Sequence, residues 1–539
     1  MHLLAVLLAA AFQAVPSPSP AASAPPSPAA TAPASPSPLS ASVTAVALQP
    51  GASQTITIAN GAQPITATLD NVVAAVTIDQ NAHTVTLTAG QQPGRATLTI
   101  TDGSGASIAL PVRVAFLAAT IPQSVTLRVT GDAPDSAWLQ AQVRRAVLQQ
   151  LALQPGVSPK NVQFAAYAVP QPFAPGAQAA IPVNVTVPGA DTYLDAAATV
   201  NVTLQNVASN AFESPVLLYD DDPEKIVSNG VLFRGQIARG TPARLYYYHQ
   251  NMDAPRRLLV VLSPLSDRAL SIVQVVDASA GPNIDVMSVG HAVTRDFLVR
   301  KPHNQGVLID LAAPLAIDDF PVMQPLDGAA GSIGLNVTNG GPVSVTVLAM
   351  PVDATAADIA AALNGPQLPG DGHHRTGMFD ISNFAQTALA YTIGSDDVSV
   401  EYGAATPPAA AQQSGHDYGE YGVIRTVTFD ITNPGTDPAS IYLFERPLGG
   451  VVRSSFMVNG QLIELGCARL SNRYQIGSPI SAPPGTSHVV VQTMTDGGSN
   501  YPLELGVTAT PPAAATPAMT APDGCFPPAT STSRAHAGP

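Results

Sequence analysis

The chain has 539 residues and enough apolar character, 46%, to build several cores, so wholesale disorder is excluded. Charged residues are scarce, 11%, and the net charge is −14 with only three lysines, Lys160, Lys225 and Lys301. Such a surface repels polyphosphate, which argues against a nucleic-acid partner.

The first apolar stretch, Leu3–Phe12, is too short to span a bilayer and is followed by small residues. It is expected to be an export signal over 1–14, with the mature chain beginning between Phe12 and Val15. No transmembrane helix is expected beyond that segment. Residues 15–41 form a Pro/Ala/Ser-rich linker; nine prolines between Val15 and Ser40 favour extended polyproline II, a stiff spacer.

Residues 42–116 alternate apolar side chains with Thr, as in Thr55-Ile56-Thr57-Ile58, Val85-Thr86-Leu87-Thr88 and Ala96–Thr101. Turn signals separate these runs: Asn60-Gly61, Pro93-Gly94 and Asp102–Gly105. The pattern predicts a small β-sandwich. The stretch Gly90–Val114 resembles the closing hairpin of bacterial Ig-like domains, and more narrowly the small domain ahead of the secretin in pilus-assembly proteins. That resemblance implies a sandwich fold and a cell-envelope setting, and no activity.

Residues 117–210 predict an α+β module. A strand at Ser124–Thr130 precedes a helix from Asp135 to Leu151, in which Leu139, Val143, Val147 and Leu151 form one stripe and Asp135 is the N-cap. Strands follow at Val162–Val169, Ala180–Val187 and Ala198–Leu204. Residues 211–353 predict a second sandwich. Two hairpins are expected in it: Leu258–Leu262 with Ala269–Val276, and Ile333–Val337 with Val343–Val347. A helical connector over 354–374 carries a capping box at Thr355 and Asp358. Residues 375–510 predict a third sandwich, with a hairpin of Val427–Ile431 and Ile441–Phe444, and 511–539 a disordered tail. The fold class is therefore mainly β: serial Ig-like or jelly-roll-like sandwiches plus one small α+β module.

Catalytic signatures are missing: no Gly-x-Ser-x-Gly elbow, no His-Glu-x-x-His, no phosphate-binding loop and no Cys-x-x-Cys. Two clusters remain. Asp220, Asp221, Asp222 and Glu224 are oxygen-rich enough for calcium, although a solvated turn explains them as simply. His373 and His374 with His416 would build a transition-metal site if their loops meet, and are otherwise solvated loop residues. No cofactor is expected unless the aspartate cluster binds calcium. Tyr246-Tyr247-Tyr248-His249 lies in a predicted strand, with Tyr246 and Tyr248 on one face; aromatics left exposed there would stack on sugars. Cys467 and Cys525 are expected to form one disulfide in an oxidising compartment.

These features point to an exported, periplasmic, cell-surface or extracellular, non-enzymatic protein for envelope interaction or adhesion, with a protein or glycan partner. A glycan- or metal-binding module is the first alternative. A hydrolase with its site between the two large sandwiches is the second.

Overall fold

The computed structural model describes residues 37–132, 134–266, 270–409 and 415–514, together with 517, 519 and 525. The export segment 1–14, almost all of the spacer and most of the tail lie outside the described residues.

The chain forms two compact units. The first comprises residues up to Leu117 together with Gly189–Leu194. It is a sandwich of two four-stranded sheets. One sheet is ordered Ser40–Ala41, Ser53–Ala59, Thr84–Ala89, Ala74–Asp79; the other Val46–Leu48, Ser107–Val114, Gly94–Thr101, Thr66–Leu69. The Thr-alternating runs turn Ile56, Val85, Leu87, Leu98 and Ile100 wholly inward, and the expected closing hairpin pairs Gly94–Thr101 with Ser107–Val114. Arg113 donates to the carbonyls of Ala190 and Tyr193, which holds residues 189–194 in this unit.

The second unit holds the rest of the chain. Its spine is an eleven-stranded sheet. Strands Gln178–Val187, Ala196–Asn206 and Ser124–Thr130 continue directly into Gly306–Leu311, Ser271–Asn283, Gly328–Asn339, Ala243–Asn251, Val216–Asp220 and Thr376–Asp380. The boundaries expected at 210/211 and 374/375 therefore do not divide it. Strand Ser124–Thr130 pairs parallel with Ala196–Asn206 on one side and antiparallel with Gly306–Leu311 on the other; Thr376–Asp380 closes the far edge against Val216–Asp220. Completing these backbone ladders requires partners from across the anticipated boundaries.

A four-stranded sheet, ordered Gly230–Ile237, Val343–Pro351, Arg256–Pro264, Leu315–Met323, packs on the middle of this spine. Leu245, Val273, Ile333 and Leu335 from one sheet and Leu258, Val260, Val345 and Val347 from the other share one core. The last sandwich has two five-stranded sheets and a separate core around Phe429, Phe456, Val491 and Leu505. Cys467 and Cys525 are disulfide-bonded with Cα atoms 5.2 Å apart, as expected.

None of the three hairpins expected in the second and third sandwiches forms. Arg256–Pro264 pairs in the smaller sheet while Ser271–Asn283 pairs in the spine. Gly328–Asn339 and Val343–Pro351 are split the same way, and so are Arg425–Asn433 and Ala439–Pro447. In each pair the two strands lie in different, facing layers, as across an arch. Alternation is satisfied either way, because both strands of an arch aim their apolar residues into the same core. Gly340, at the second arch, has φ +85°, and a Cβ there would lie 2.4 Å from the Leu270 carbonyl oxygen, so the close crossing needs glycine.

Three helices occur among the described residues. The first, α1 (Ser136–Gln150), has its expected cap, Asp135 accepting from the Trp138 amide at 2.8 Å, and buries Leu139, Val143 and Val147. The second, α2 (Val286–Arg300), was not anticipated; it lies between the spine and strand Val452–Val458 of the last sandwich. The third, α3 (Ala356–Ala362), carries the capping box at Thr355 and Asp358 and packs Ile359 against Val231, Leu259 and Leu348. No helix among the described residues is long and apolar enough to cross a membrane.

Candidate functional site

Strand Val216–Asp220 ends at the junction of the spine with the last sandwich, and its acidic continuation is not a solvated turn. Asp220, Asp221 and Asp222 are all buried. Asp220 faces His249, whose Nε2 lies 2.9 Å from the Asp220 carboxylate while its Nδ1 lies 3.0 Å from the Pro223 carbonyl oxygen. Both ring nitrogens meet acceptors, which an imidazolium satisfies. Burial alone would lower the His249 pKa, but the Asp220 charge and hydrogen bond raise it above the ordinary value.

Asp221 points the other way. It accepts from the Tyr219 hydroxyl at 3.2 Å and sits 3.4 Å from Arg375 Nη1, while its Oδ1 has no hydrogen-bond partner among the protein atoms. Burial pushes its carboxyl well above the usual range, with Arg375 only partly opposing. Arg375 is shared: Nη1 also binds Glu224 at 2.7 Å, and Nη2 binds Asp371 at 3.0 Å. Asp222 accepts from the Asp371 amide.

The proposed calcium ligands are thus dispersed over a histidine, an arginine, a tyrosine and a backbone amide. Among the described residues no group of three or more His, Cys, Asp or Glu is placed to hold a metal. The histidine loops do meet: the His416 amide donates to the His374 carbonyl at 2.8 Å. Their rings do not gather. His373 binds Asp371 at 3.0 Å, and His416 stacks on Tyr418 with centroids 4.8 Å apart.

What these elements enclose is a cleft of about 320 Å³. Asp221, Glu224 and Arg375 line one side; Tyr246, Tyr248, Tyr418 and Tyr421 supply aromatic walls; the Gly497–Asn500 backbone forms the remaining wall. Alternation along Ala243–Asn251 works as expected, directing Tyr246 and Tyr248 here and Tyr247 into the opposite core. Tyr246 and Tyr421 stack with centroids 6.0 Å apart and an interplanar angle of 25°. The Tyr421 hydroxyl donates to the Ser499 carbonyl at 3.1 Å, whereas the buried Tyr246 hydroxyl has no hydrogen-bond partner among the protein atoms. Tyr418 stands at the rim, 56% exposed. Behind Tyr421, Asp417 is fully buried; it accepts from the Tyr421 amide at 2.8 Å, and burial raises its carboxyl far above the ordinary range.

The Gly497–Asn500 wall is fixed from behind by α2. His291 Nδ1 lies 2.6 Å from Asp496, and Nε2 lies 2.9 Å from Glu464. Burial would lower the His291 pKa, but the Asp496 charge and hydrogen bond raise it. Ser455 Oγ is 3.4 Å from the same Nδ1. A Ser-His-Asp relay needs the serine and the acid on opposite ring nitrogens. Here both share one nitrogen, so the cluster is an ionic clamp in its geometry. His291 and Asp496 belong to no local motif of the sequence; their clues are Asp285 as an N-cap and the helical spacing of Val289, Val293 and Phe297, all buried.

No protein-family model and no curated protein matches the chain. Among solved structures it is similar, at 9% identity, to the N-terminal Ig1-2 module of the Drosophila receptor protein tyrosine phosphatase DLAR, covering 31% of this chain and 100% of that one, with a TM-score of 0.14. It is also similar, at 9% identity, to the M60 catalytic domain with CBM51 domains of Clostridium perfringens ZmpB, covering 87% of this chain and 52% of that one, TM-score 0.16. The Yersinia pseudotuberculosis adhesin InvE gives 12% identity, 36% and 70% coverage, and a TM-score of 0.12. Likenesses this slight carry no argument about function.

Proposed function

We propose that the chain is an exported, non-enzymatic binding protein that engages a glycan or protein of the cell envelope through the tyrosine cleft. The single observation that carries this reading is the cleft itself. It is open, walled by four tyrosines, and edged by polar groups whose hydrogen bonds are incomplete, the composition of a recognition pocket. The disulfide supports an oxidising compartment. The apolar leader and proline-rich spacer support export and display away from a surface.

The test is binding of the full chain to isolated cell-envelope polysaccharide and protein fractions by sedimentation. Tyr418→Ala removes a rim ring that supports no core and should weaken binding about tenfold, or ~1.4 kcal/mol. Equal retention of wild type and variant would reject the cleft as the recognition site.

One observation favours a second reading. Asp221, whose carboxyl burial pushes well above the usual range, shares Arg375 Nη1 with Glu224, and two neighbouring carboxyls in unlike surroundings are what glycoside cleavage uses. Release of reducing ends from the bound fraction, lost in Asp221→Asn, would replace the binding reading with a hydrolase.

A further inference from the structure

Three properties of the cleft bear on the chemistry of its ligand. The first is charge. Asp221 and Glu224 line it, and Asp417 and Asp496 lie close enough behind to oppose ionisation of Tyr421 and Tyr246. Burial favours the neutral form of Asp221 and Asp417, so a cation is met by acids that ionise as it enters, and the one basic lining residue, Arg375, has its guanidinium already divided among Asp221, Glu224 and Asp371. The second is the rings. Tyrosine faces attract a cation placed within about 6 Å of the centroid, more strongly when it is desolvated. The third is unmet hydrogen bonding. Asp221 Oδ1 and the Tyr246 hydroxyl are both buried, both belong to cleft-lining residues and both lack a partner among the protein atoms. A ligand carrying N–H donors satisfies them; a quaternary ammonium, which has none, leaves the cost of the buried polar atoms in place.

We propose that the cleft selects a primary ammonium group, presented by an unacetylated 2-amino sugar unit of a glycan. The inference rests on the binding reading above and narrows it to a substrate class. The sugar is favoured over a lysine side chain because the rim offers a flat platform, the exposed face of Tyr418 backed by His416, on which a pyranose ring stacks while its amine reaches inward. The equilibrium balances simply. The ammonium enters with its charge, Asp221 gives up its proton to the buffer, and the resulting carboxylate pairs with the ammonium. Binding should therefore release a proton, because a carboxyl kept neutral by burial ionises once a cation arrives.

The experiment is calorimetry of the full chain with a fully deacetylated glucosamine hexamer, its N-acetylated counterpart and a lysine hexapeptide, in two buffers of different ionisation enthalpy. The expected result is at least tenfold tighter binding of the deacetylated hexamer than of either competitor, with net proton release near pH 7. Asp221→Asn should abolish the proton release and shrink the preference to within about twofold. Glu224→Gln, at a partly exposed position, should reduce the preference without unfolding the chain, so a misfolded Asp221 variant does not shield the idea. Equal binding of the N-acetylated hexamer overturns the ammonium inference while leaving a glycan cleft standing. Equal binding of the lysine peptide overturns the sugar assignment. Binding of envelope glycan to the chain with no hexamer bound at all overturns the inference alone; failure of both removes the parent reading too.

Discussion

Gly290 offers a contest between two opposed effects whose outcome the structure decides. It lies inside α2, where replacing glycine by alanine ordinarily gains about 0.5–1 kcal/mol of helix stability. A Cβ built at Gly290, however, would lie 2.0 Å from the Gly497 carbonyl oxygen and 2.4 Å from its nitrogen. These are backbone atoms and cannot swing aside as the end of a flexible side chain does. Reaching ordinary van der Waals contact, 3.4 Å, requires the helix and the 497 loop to part by roughly 1.4 Å. That displacement would stretch the 2.6 Å His291–Asp496 contact beyond hydrogen-bonding range. Overpacking costs about 1–3 kcal/mol, and losing a charged hydrogen bond about 1.5–3 kcal/mol. Gly290→Ala should therefore destabilise by a net ~1.5–5.5 kcal/mol and displace the cleft wall. The assay is urea unfolding followed by fluorescence of Trp138, the one tryptophan, with Val299→Ala, on the exposed side of the same helix, as the control that gains propensity alone. A midpoint for Gly290→Ala equal to or above wild type would refute the close approach of α2 to the loop.

Three further outcomes are expected. Opening the Cys467–Cys525 bridge, which closes a loop of sequence separation 58, should lower stability by about 4 kcal/mol in the chain-entropy account; an unchanged denaturant midpoint in the double Cys→Ser variant would contradict this. His291, faced by Asp496, Glu464 and Ser455 with Glu445 behind, has a folded pKa above its unfolded value near 6.5. Its stabilisation should be complete below about pH 6.5 and lost as pH rises through the folded pKa, a slope missing from His291→Asn in unfolding titrations. Asp318 is pushed by burial, and then by Asp277, up to about 8, with Arg145, Tyr247 and Ser279 around it only partly opposing. The native state thus keeps a proton that the unfolded chain releases near pH 4, so stability should fall between about pH 4 and 8 by up to ~1.4 kcal/mol per unit. Asp318→Asn should remove that slope, and equal slopes in the two proteins would disprove the burial effect.

The readable parts of the sequence were those governed by local chemistry. Thr-alternating strands such as Ala96–Thr101, the Asp135 cap and stripe of α1, and the Thr355–Asp358 capping box all formed where their residues placed them. Strand identity was legible but strand partners were not. Val343, Val345 and Val347 alternate equally well beside Ile333–Val337 or opposite them, and only the facing core decides. Helix α2 escaped notice because Val286, Val289, Val293, Thr294 and Val299 read as strand; it is helical because it is buried against both the spine and the last sandwich, where tertiary contacts override β-branched preference. The aspartate run was visible, but a string of acids reads as solvated until His249 and Arg375 are known to converge on it from 29 and 154 residues downstream of Asp220 and Asp221. The tyrosine cleft combines residues from five separate stretches of chain, and no local pattern encodes such a meeting.

The long-range pairing of the spine sets the order in which the chain can acquire structure during synthesis. Ser124–Thr130 must wait for Gly306–Leu311, and Val216–Asp220 must wait for Thr376–Asp380. A nascent chain at residue 210 therefore carries an unfilled edge on Ser124–Thr130, and one halted at 353 lacks the strand that caps the other end. The first sandwich can close its own ladders early, apart from the short piece at 189–194. The spine has no such intermediate stopping point, so its folding is bound to be slow, and its partly made edges need shielding from one another until residue 380 has emerged.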